Sequence, residues 1–220
     1  DRLLDRPMTA DIDVVLEGMT GTQFVKKWRA WVEKHSKEQV SSMFFVKRCV
    51  AKSKHLETVS LKYMGFDLDF VNLRLEEYTN PKSRVPKMHM GGPAEDAARR
   101  DLTINALYYN LHTKEVEDFT GNGLSDLWSG TIRTPQPPLE TLLDDPLRSI
   151  RVVRFAGLLD FSIDPDVLVA CGDSRVHQAL IEKVSLERIR SEVFKMLFGS
   201  EYTALRCATL LHSSGLWSAV

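Results

Sequence analysis

Two acidic residues near the start of the chain, Asp11 and Asp13, are separated by a single apolar residue. The run 12–16 is rich in β-branched residues and is typical of a strand. Because residues i and i+2 of a strand face the same side, we expect the two carboxylates to lie together. Mg²⁺ prefers oxygen ligands and is commonly bound by one or two carboxylates plus substrate phosphates, so this pair is a candidate metal site. A strand with one face in water would also carry two such residues.

A third acidic residue, Asp69, lies in the largely apolar segment 66–73, which we interpret as another strand. A neighbouring strand could bring its carboxylate beside Asp11 and Asp13, so that three carboxylates would surround two metal ions. Asp67 and Asp69 could equally face water, so this segment leaves both interpretations open.

Cationic and amide groups accompany a short apolar segment at 99–107. The guanidinium of Arg100 suits the geometry of phosphate groups, while Asp101 and Asn105 could meet ribose hydroxyls. The segment is therefore a candidate nucleotide-binding element. A solvated first turn of a helix would have the same composition, and spacing alone favours that simpler alternative.

Charged residues recur at every third position from Asp145 through Arg148 and Arg151 to Arg154. The acidic residues Asp144 and Asp145 precede a predicted helix, where the helix dipole favours negative charge. On a helix, a spacing of three forms one slanting ridge. Folding does not require three arginines on one ridge, so we favour ligand contact over a basic face that is paired with acidic neighbours.

Other patterns indicate the elements that position these residues. Thr20 and Gln23 have the spacing of a capping box, and a helix with apolar residues at helical spacing follows them. The segment 42–50 indicates a further strand, 79–93 a loop rich in Pro, Gly, Lys and Ser, and 94–110 a helix.

After Pro146 the strand patterns vanish and helical spacing dominates, with Ser185 as the predicted N-cap of a later helix. We therefore predict an α+β fold. A small mixed sheet with helices occupies residues 1–134, and an all-helical part occupies residues 135–220.

Composition excludes several classes of protein. The 220 residues are 43% hydrophobic and 27% charged, as in soluble globular chains, and a net charge of -1 excludes a histone-like polycation. Cys49, Cys171 and Cys207 lie far apart, which argues against a disulfide scaffold or structural zinc and fits a reducing compartment. The sequence has no signal peptide and no apolar run near the roughly 20 residues of a membrane span. We predict an intracellular protein of the cytoplasm, mitochondrion or nucleus, without membrane contact.

Six motifs, taken together and in order, resemble the head and neck of class II tRNA nucleotidyltransferases, the CCA-adding enzymes, and are most similar to those of eukaryotes. That family belongs to the DNA polymerase β-like nucleotidyltransferase superfamily, and bacterial poly(A) polymerases share its head. Any one motif would be weak evidence, whereas six in order make the assignment strong. The motifs are 55–58, 69–74, 99–107, 116–121, 144–156 and 187–189.

The resemblance implies roles for residues of the first half. Asp11 and Asp13 match the metal-binding pair of the family, and Asp69 matches its third acidic position on a nearby strand. Arg100 and Asp101 match the motif that binds the sugar and the nucleotide. The family's hinge motif between head and neck is matched by Asp118, Gly121 and Asp126.

In the second half, Asp145 and Arg148 match the pair that reads the incoming base, and Arg151 and Arg154 match further nucleotide contacts. The family's Glu-Asp opening of this motif is Asp-Asp at 144–145. We expect this change to matter little, because the base contact falls on the second residue.

Asp1 resembles the last residue of the family's Gly-Gly-x-Val-Arg-Asp motif, and the sequence has no initiator Met. We therefore expect a fragment: an N-terminally truncated nucleotidyltransferase head at 1–134, then the nucleotide-binding neck and the start of the body at 135–220. Without the glycine motif and most of the tRNA-gripping region, we expect this piece by itself to have little or no activity.

The implied reaction is template-independent addition of C, C and A to the 3′ end of tRNA, from CTP and ATP, with Mg²⁺ as cofactor. C and A share an exocyclic amino donor beside a ring-nitrogen acceptor, which a carboxylate and a guanidinium complement, whereas U and G present the opposite order. Two alternatives stay open: a poly(A) polymerase with the same head, and a non-catalytic RNA-binding or assembly protein that kept the fold. The sequence predicts no oligomeric state.

Overall fold

The structure, a computed structural model, describes residues 2–4, 11–35, 43–46, 58–77, 87–198 and 200–219. The chain divides into an N-terminal unit, Asp1–Glu77 with Lys87–Gly92, and a C-terminal unit, Tyr78–Pro86 with Pro93–Val220. The boundary expected between residues 134 and 135 lies within the second unit, and it stays a prediction. No helix in the described ranges is long and apolar enough to cross a membrane.

The N-terminal unit is built around a mixed sheet. Its described elements, after a 3₁₀ turn at Arg2–Leu4, are β1 (Asp11–Leu16), α1 (Gly21–His35), β2 (Met43–Val46), β3 (Thr58–Tyr63), β4 (Phe66–Asn72), β5 (Arg74–Glu77) and β6 (Lys87–Met90). Four strands form the sheet in the order β1-β4-β3-β2, in which β1 is parallel to β4 and the other neighbours are antiparallel. The strands β5 and β6 form a separate antiparallel pair.

Helix α1 covers one face of this sheet. It begins with the predicted capping box: the backbone N–H of Thr20 donates to Gln23 Oε1 at 3.1 Å, and the N–H of Gln23 donates to Thr20 Oγ1 at 3.3 Å. These bonds satisfy two donors that a helix start otherwise leaves unpaired. The core beneath α1 consists of Leu16, Val25, Val59, Leu61 and Phe70. Since strand residues alternate, their sequence neighbours on the strands face away from α1.

The C-terminal unit is mainly helical. Its elements are α2 (Pro93–Ala98), β7 (Leu107–Asn110), β8 (Glu115–Asp118), α3 (Gly123–Ser129), β9 (Thr131–Ile132), α4 (Pro138–Asp144), α5 (Leu147–Leu159), β10 (Ser162–Ile163), α6 (Pro165–Cys171), α7 (Ser174–Lys183), α8 (Leu186–Leu197) and α9 (Glu201–Ser213), with 3₁₀ turns at Thr103–Asn105 and Leu216–Ala219. The strands β7 and β8 pair antiparallel, and β9 and β10 pair parallel. Helix α5 packs against α8 and α9 and contributes Ile150, Val152, Val153 and Ala156 to the core.

Several predicted elements are confirmed. The strands predicted at 12–16 and 66–73 correspond to β1 and β4. Helices dominate the described residues after Pro146, among which the two-residue β10 is the only strand. Ser185 is the N-cap residue of α8, although its side chain makes no capping hydrogen bond. Of the predicted strand 42–50, Met43–Val46 is a strand, and the other positions lie outside the described residues.

Two predicted elements are wrong. The helix expected at 94–110 ends at Ala98 as α2, and Leu107–Asn110 is a strand. Leu107, Tyr108 and Tyr109 favour a pleated surface, and pairing with β8 outweighs the helical spacing of the apolar residues. The loop expected at 79–93 contains the strand Lys87–Met90, which pairs with β5. Its positions 79–86 lie outside the described residues.

Gly157 allows α5 and α9 to approach closely. A Cβ at this position would lie 2.2 Å from Cys207 Sγ. Gly157→Ala should therefore lower the free energy of unfolding by about 1–3 kcal/mol through overpacking. Helix propensity alone would favour alanine by about 1 kcal/mol. A net loss of stability must therefore come from the clash with Cys207.

Denaturant unfolding of the single and double variants measures this clash. Cys207→Ala removes the sulfur, so Gly157→Ala should cost less in that background, with a coupling energy of roughly 0.5–3 kcal/mol. Gly172→Ala is the matched control, because its Cβ would have no neighbour closer than 3.5 Å. A Gly157→Ala protein as stable as the unaltered one would contradict the close approach.

Candidate functional site

The register of β1 and β4 brings the acidic residues of the N-terminal unit together. Asp13 lies opposite Asp69, and Asp11 lies opposite Asp67. Residues that are opposite one another in a sheet share a face, and the core residues Leu68 and Phe70 face α1. The four carboxylates therefore lie on the sheet face opposite α1, which we call the carboxylate face. Asp11 and Asp13 are exposed there, and Asp69 is partly buried.

Asp67 belongs to the carboxylate face but was not singled out from the sequence. Its Oδ1 lies 3.2 Å from Lys62 Nζ on β3. Lys62 therefore offsets part of the charge of Asp67. The sequence feature that could have identified Asp67 is its position two residues before Asp69, because residues i and i+2 of a strand face the same side.

The residues of the carboxylate face fit a hard divalent cation. Like charges so close together repel each other, and a cation bound by oxygen ligands removes that cost. Among the described residues, no group of three or more His, Cys, Asp or Glu side chains is arranged to hold a metal ion. Mg²⁺ commonly uses only one or two carboxylates plus substrate phosphates, and the pair Asp11 and Asp13 matches that number of carboxylates.

The C-terminal unit places Asp145 and Arg148 at the junction of α4 and α5. Asp145 follows the last residue of α4, and its Oδ1 accepts from the Leu147 N–H at 3.4 Å. Its Oδ2 lies 3.5 Å from Arg188 Nη2, a neighbour that the sequence interpretation did not include among the site residues. Arg148 Nη2 donates to the Arg99 carbonyl at 2.7 Å, and Nη1 donates to the Thr141 carbonyl at 3.4 Å. An acceptor-only group and a donor-only group therefore stand three residues apart at this junction.

Arg151 lies against Asp101. Its Nε and Nη2 contact Asp101 Oδ2 at 2.7 and 2.6 Å. The other oxygen of Asp101 accepts from the Leu102 N–H at 2.9 Å and from Asn105 Nδ2 at 3.2 Å. The structure thus joins two of the predicted nucleotide-binding residues by an ion pair.

Arg154 is not brought to this group of residues. Its Nε donates at 2.6 Å to Glu192, which is buried on α8, and its guanidinium lies 4.2 Å from the Phe155 ring centroid. Burial by itself raises the pKa of Glu192, but Lys195 and Arg154 outweigh it and hold the pKa below its usual value. Arg154 therefore fits the alternative interpretation of the ridge, in which a basic residue pairs with an acidic neighbour. Its contact with a nucleotide stays a prediction.

Arg100 is held by Asp96, a residue that sequence reasoning missed. Asp96 is fully buried on α2 and accepts hydrogen bonds from Arg99, Arg100 and Tyr108. Arg100 Nη1 also donates to the Asn105 carbonyl at 3.0 Å. An acidic residue three and four positions before two arginines on a helix is the signal that could have identified Asp96.

These contacts shift the acid–base equilibria of the cluster. Burial alone raises the pKa of Asp96, but the hydrogen bond from Tyr108 and the charges of Arg99 and Arg100 hold it below its usual value. Burial and the hydrogen bond to Asp96 raise the pKa of Tyr108 to about 12. Asp96 is therefore a carboxylate and Tyr108 a neutral donor near neutral pH.

Acidification should destabilise the fold through Asp96. Because its pKa is lower in the folded than in the unfolded state, its stabilising contribution is present above an ordinary carboxyl pKa of about 4 and is lost as pH falls further. Urea unfolding between about pH 7 and about pH 3 should show this decline. The decline should be shallower in Asp96→Asn, and an identical slope in both proteins would contradict the assignment.

The positions that match the hinge motif organise a turn within the C-terminal unit. Asp118 accepts from the N–H groups of Thr120, Gly121 and Leu124. Partial burial raises its pKa, but the hydrogen bond from the Thr120 hydroxyl and those from the three N–H groups outweigh it and lower the pKa overall. Gly121 adopts a φ of 74°, which glycine tolerates best. Asp126 is buried and accepts from Thr103 Oγ1 at 2.7 Å and from Arg133 Nε at 3.2 Å.

Comparison with models of protein families assigns the chain to a known family. The family model described as the poly(A) polymerase head domain matches residues 1–133. A second model, described as the probable RNA- and SrmB-binding site of polymerase A, matches residues 160–220. The chain belongs to the poly(A) polymerase head-domain family, which confirms the predicted superfamily and the α+β fold class.

Individual relatives refine this assignment. The chain is 44% identical over 202 residues to the mitochondrial CCA tRNA nucleotidyltransferase of Saccharomyces cerevisiae, covering 90% of this chain and 37% of that protein. It is 41% identical over 220 residues to a tRNA nucleotidyltransferase of Schizosaccharomyces pombe, covering 100% of this chain and 43% of that protein. The crystal structure of the Bacillus stearothermophilus CCA-adding enzyme in complex with CTP matches 100% of this chain and 47% of that chain, at 25% identity and a TM-score of 0.73. The chain thus spans less than half the length of these relatives.

Proposed function

We propose that the protein adds C, C and A to the 3′ end of tRNA, using CTP and ATP and no nucleic-acid template. The observation that carries this proposal is the carboxylate face, on which Asp11, Asp13 and Asp69 lie together. The similarity to proteins named CCA tRNA nucleotidyltransferases supports the choice of substrate. Intracellular placement in the cytoplasm, mitochondrion or nucleus stays an expectation, and the relative from Saccharomyces cerevisiae is named mitochondrial.

The reaction would be a nucleotidyl transfer. The oxygen of the RNA 3′-hydroxyl forms a bond to the α-phosphorus of the nucleotide, the bond from that phosphorus to the β-phosphate bridging oxygen breaks, and pyrophosphate leaves. Bound Mg²⁺ would favour ionisation of the hydroxyl and stabilise the charge on the leaving oxygens. Asp11 and Asp13 would hold the ion, with Asp69 as the third carboxylate. The protein contributes positioning and charge stabilisation, and no covalent intermediate is needed.

Base selection would rest on Asp145 and Arg148. A carboxylate accepts from the exocyclic amino group that C and A share, and a guanidinium donates to the adjacent ring nitrogen. U and G present a carbonyl and an N–H there, so each would face a group of the wrong kind. Arg100, Asp101, Arg151 and Arg154 are proposed as the further nucleotide contacts.

Two other functions use the same fold. A poly(A) polymerase is favoured by the description of the matching family model, and it would select ATP alone. A non-catalytic RNA-binding or assembly protein would select no nucleotide, but the presence of Asp11, Asp13, Asp145 and Arg148 argues against it.

Nucleotide binding separates these three functions. Equilibrium dialysis of the full-length protein with Mg²⁺ and each of the four nucleoside triphosphates should give tighter binding of CTP and ATP than of UTP and GTP, by roughly tenfold or more. Selective binding of ATP alone would favour poly(A) addition. Failure to bind any of the four would contradict nucleotidyl transfer.

A further inference from the structure

Asp96 is a buried carboxylate to which the proposed reaction assigns no task. Its side chain is 1% exposed, while the side chains of its partners Arg99 and Arg100 are 17% and 29% exposed. Replacing a buried ionic group by apolar residues is often neutral or stabilising, so stability alone gives a weak reason for this cluster. A stronger reason for the cluster is that the Asp96 carboxylate orients the side chains of Arg99 and Arg100.

Asp96 fixes the direction of the Arg100 guanidinium. Nε and Nη2 of Arg100 contact Asp96 Oδ2 at 3.2 and 3.1 Å, and Nη1 donates to the Asn105 carbonyl at 3.0 Å. The guanidinium also lies 5.0 Å from the centroid of the Tyr108 ring, whose hydroxyl donates to the same carboxylate. Three of the five N–H donors of Arg100 are therefore committed, and the plane of the group is set.

Asp96 also holds the backbone that contacts Arg148. The Nε of Arg99 donates to Asp96 Oδ1 at 3.0 Å, and its Nη2 contacts the same oxygen. The carbonyl of Arg99 accepts from Arg148 Nη2 at 2.7 Å. A continuous series of contacts therefore runs from Asp96 through Arg99 to Arg148, and all of it lies within the C-terminal unit.

We propose that Asp96 is a positioning residue for nucleotide selection, which acts through Arg99 to orient the base-reading guanidinium of Arg148. Asp96 touches neither the nucleotide nor the RNA in this role. The inference rests on the proposed function. It adds a residue that determines specificity without contacting the base.

Substrate preference in the full-length protein tests the proposal. Asp96→Asn keeps the size of the side chain but places an amide N–H₂ among three donors. We expect the ratio of kcat/KM for CTP to that for UTP to fall by about tenfold, the loss produced by misplacing one hydrogen bond to the base. Tyr108→Phe removes a single hydrogen bond and leaves both arginines paired, so the ratio should fall much less.

Two further variants separate positioning from loss of stability. Arg99→Ala removes the link to Asp96 while Arg100 and Tyr108 still pair the carboxylate, so it should lower the CTP-to-UTP ratio even if Asp96→Asn fails to fold. Asp164→Ala is the control: Asp164 lies 3.1 Å from Arg133 and caps α6, so the change should lower Tm and leave the ratio unaltered. Dialysis with CTP confirms that each variant retains a nucleotide site.

The outcomes are distinct. A lowered ratio in Arg99→Ala, and also in Asp96→Asn where that variant folds, with no change in Asp164→Ala, supports the proposal. An unchanged ratio in Arg99→Ala, or a ratio that follows Tm across all variants, overturns it. If the unaltered protein neither binds CTP nor extends tRNA, the proposed function fails instead.

Discussion

In the full-length protein, replacing Asp13 by alanine should lower nucleotide incorporation by about 10³-fold or more while the protein remains folded. Asp13 is exposed on the carboxylate face and lies opposite Asp69, so its loss removes a proposed metal ligand without opening a cavity. Asp11→Ala should have the same effect, because alternation along β1 places both carboxylates on one face. Nucleotide incorporation into tRNA measures the loss of activity, and thermal unfolding shows whether the variants remain folded.

The matched control is Asp67→Ala. Asp67 lies on the same face opposite Asp11 and contacts Lys62 at 3.2 Å, and it is not among the proposed metal ligands. Its replacement changes the net charge of the face by the same amount and should reduce incorporation far less. Near-normal incorporation by either the Asp11 or the Asp13 variant would rule out the metal assignment.

Arg148→Ala should relax the discrimination between bases in the full-length protein. Arg148 supplies donors only and Asp145 supplies acceptors only, as the shared edge of C and A requires. Loss of one partner leaves a polar group of the cognate base unpaired, at a cost of roughly 1–3 kcal/mol, or about 5- to 150-fold in kcat/KM. UTP and GTP should be affected less, so they are used relatively better against CTP.

The rival assignment makes Arg148 a contact to phosphate or tRNA. In that case the overall rate falls while the CTP-to-UTP preference stays as in the unaltered protein. Arg175→Ala is the control for the loss of one positive charge, because this exposed arginine on α7 pairs with Asp173 at 2.7 Å. It should change neither the rate nor the preference.

Local sequence patterns predicted the carboxylate face well. Two-residue alternation is enforced by strand geometry, so Asp11 and Asp13 had to share a face once β1 was recognised. The pairing of Asp13 with Asp69 was a weaker expectation, because strand order and register depend on contacts that are distant in sequence. The capping box of Thr20 and Gln23 was predictable because both partners lie within one helical turn.

The arrangement around the arginines was harder to predict. A spacing of three placed Arg148, Arg151 and Arg154 on one ridge, but their partners are distant in sequence: the Arg99 carbonyl and Asp101 in the turn after α2, and Glu192 on α8. These long-range partners decide where each guanidinium lies, and local spacing does not contain them. Likewise, the predicted helix does not continue to residue 110 because Leu107–Asn110 pairs with β8, a tertiary contact that local spacing does not contain.

The sequence of the nucleotides that are added tests the central proposal most directly. A tRNA that lacks its last three nucleotides is incubated with the full-length protein, Mg²⁺, CTP and ATP, and the extended 3′ ends are sequenced. Specific addition of C, C and A followed by arrest is the expected result. A growing tail of A residues, or RNA that is left unextended, would contradict CCA addition.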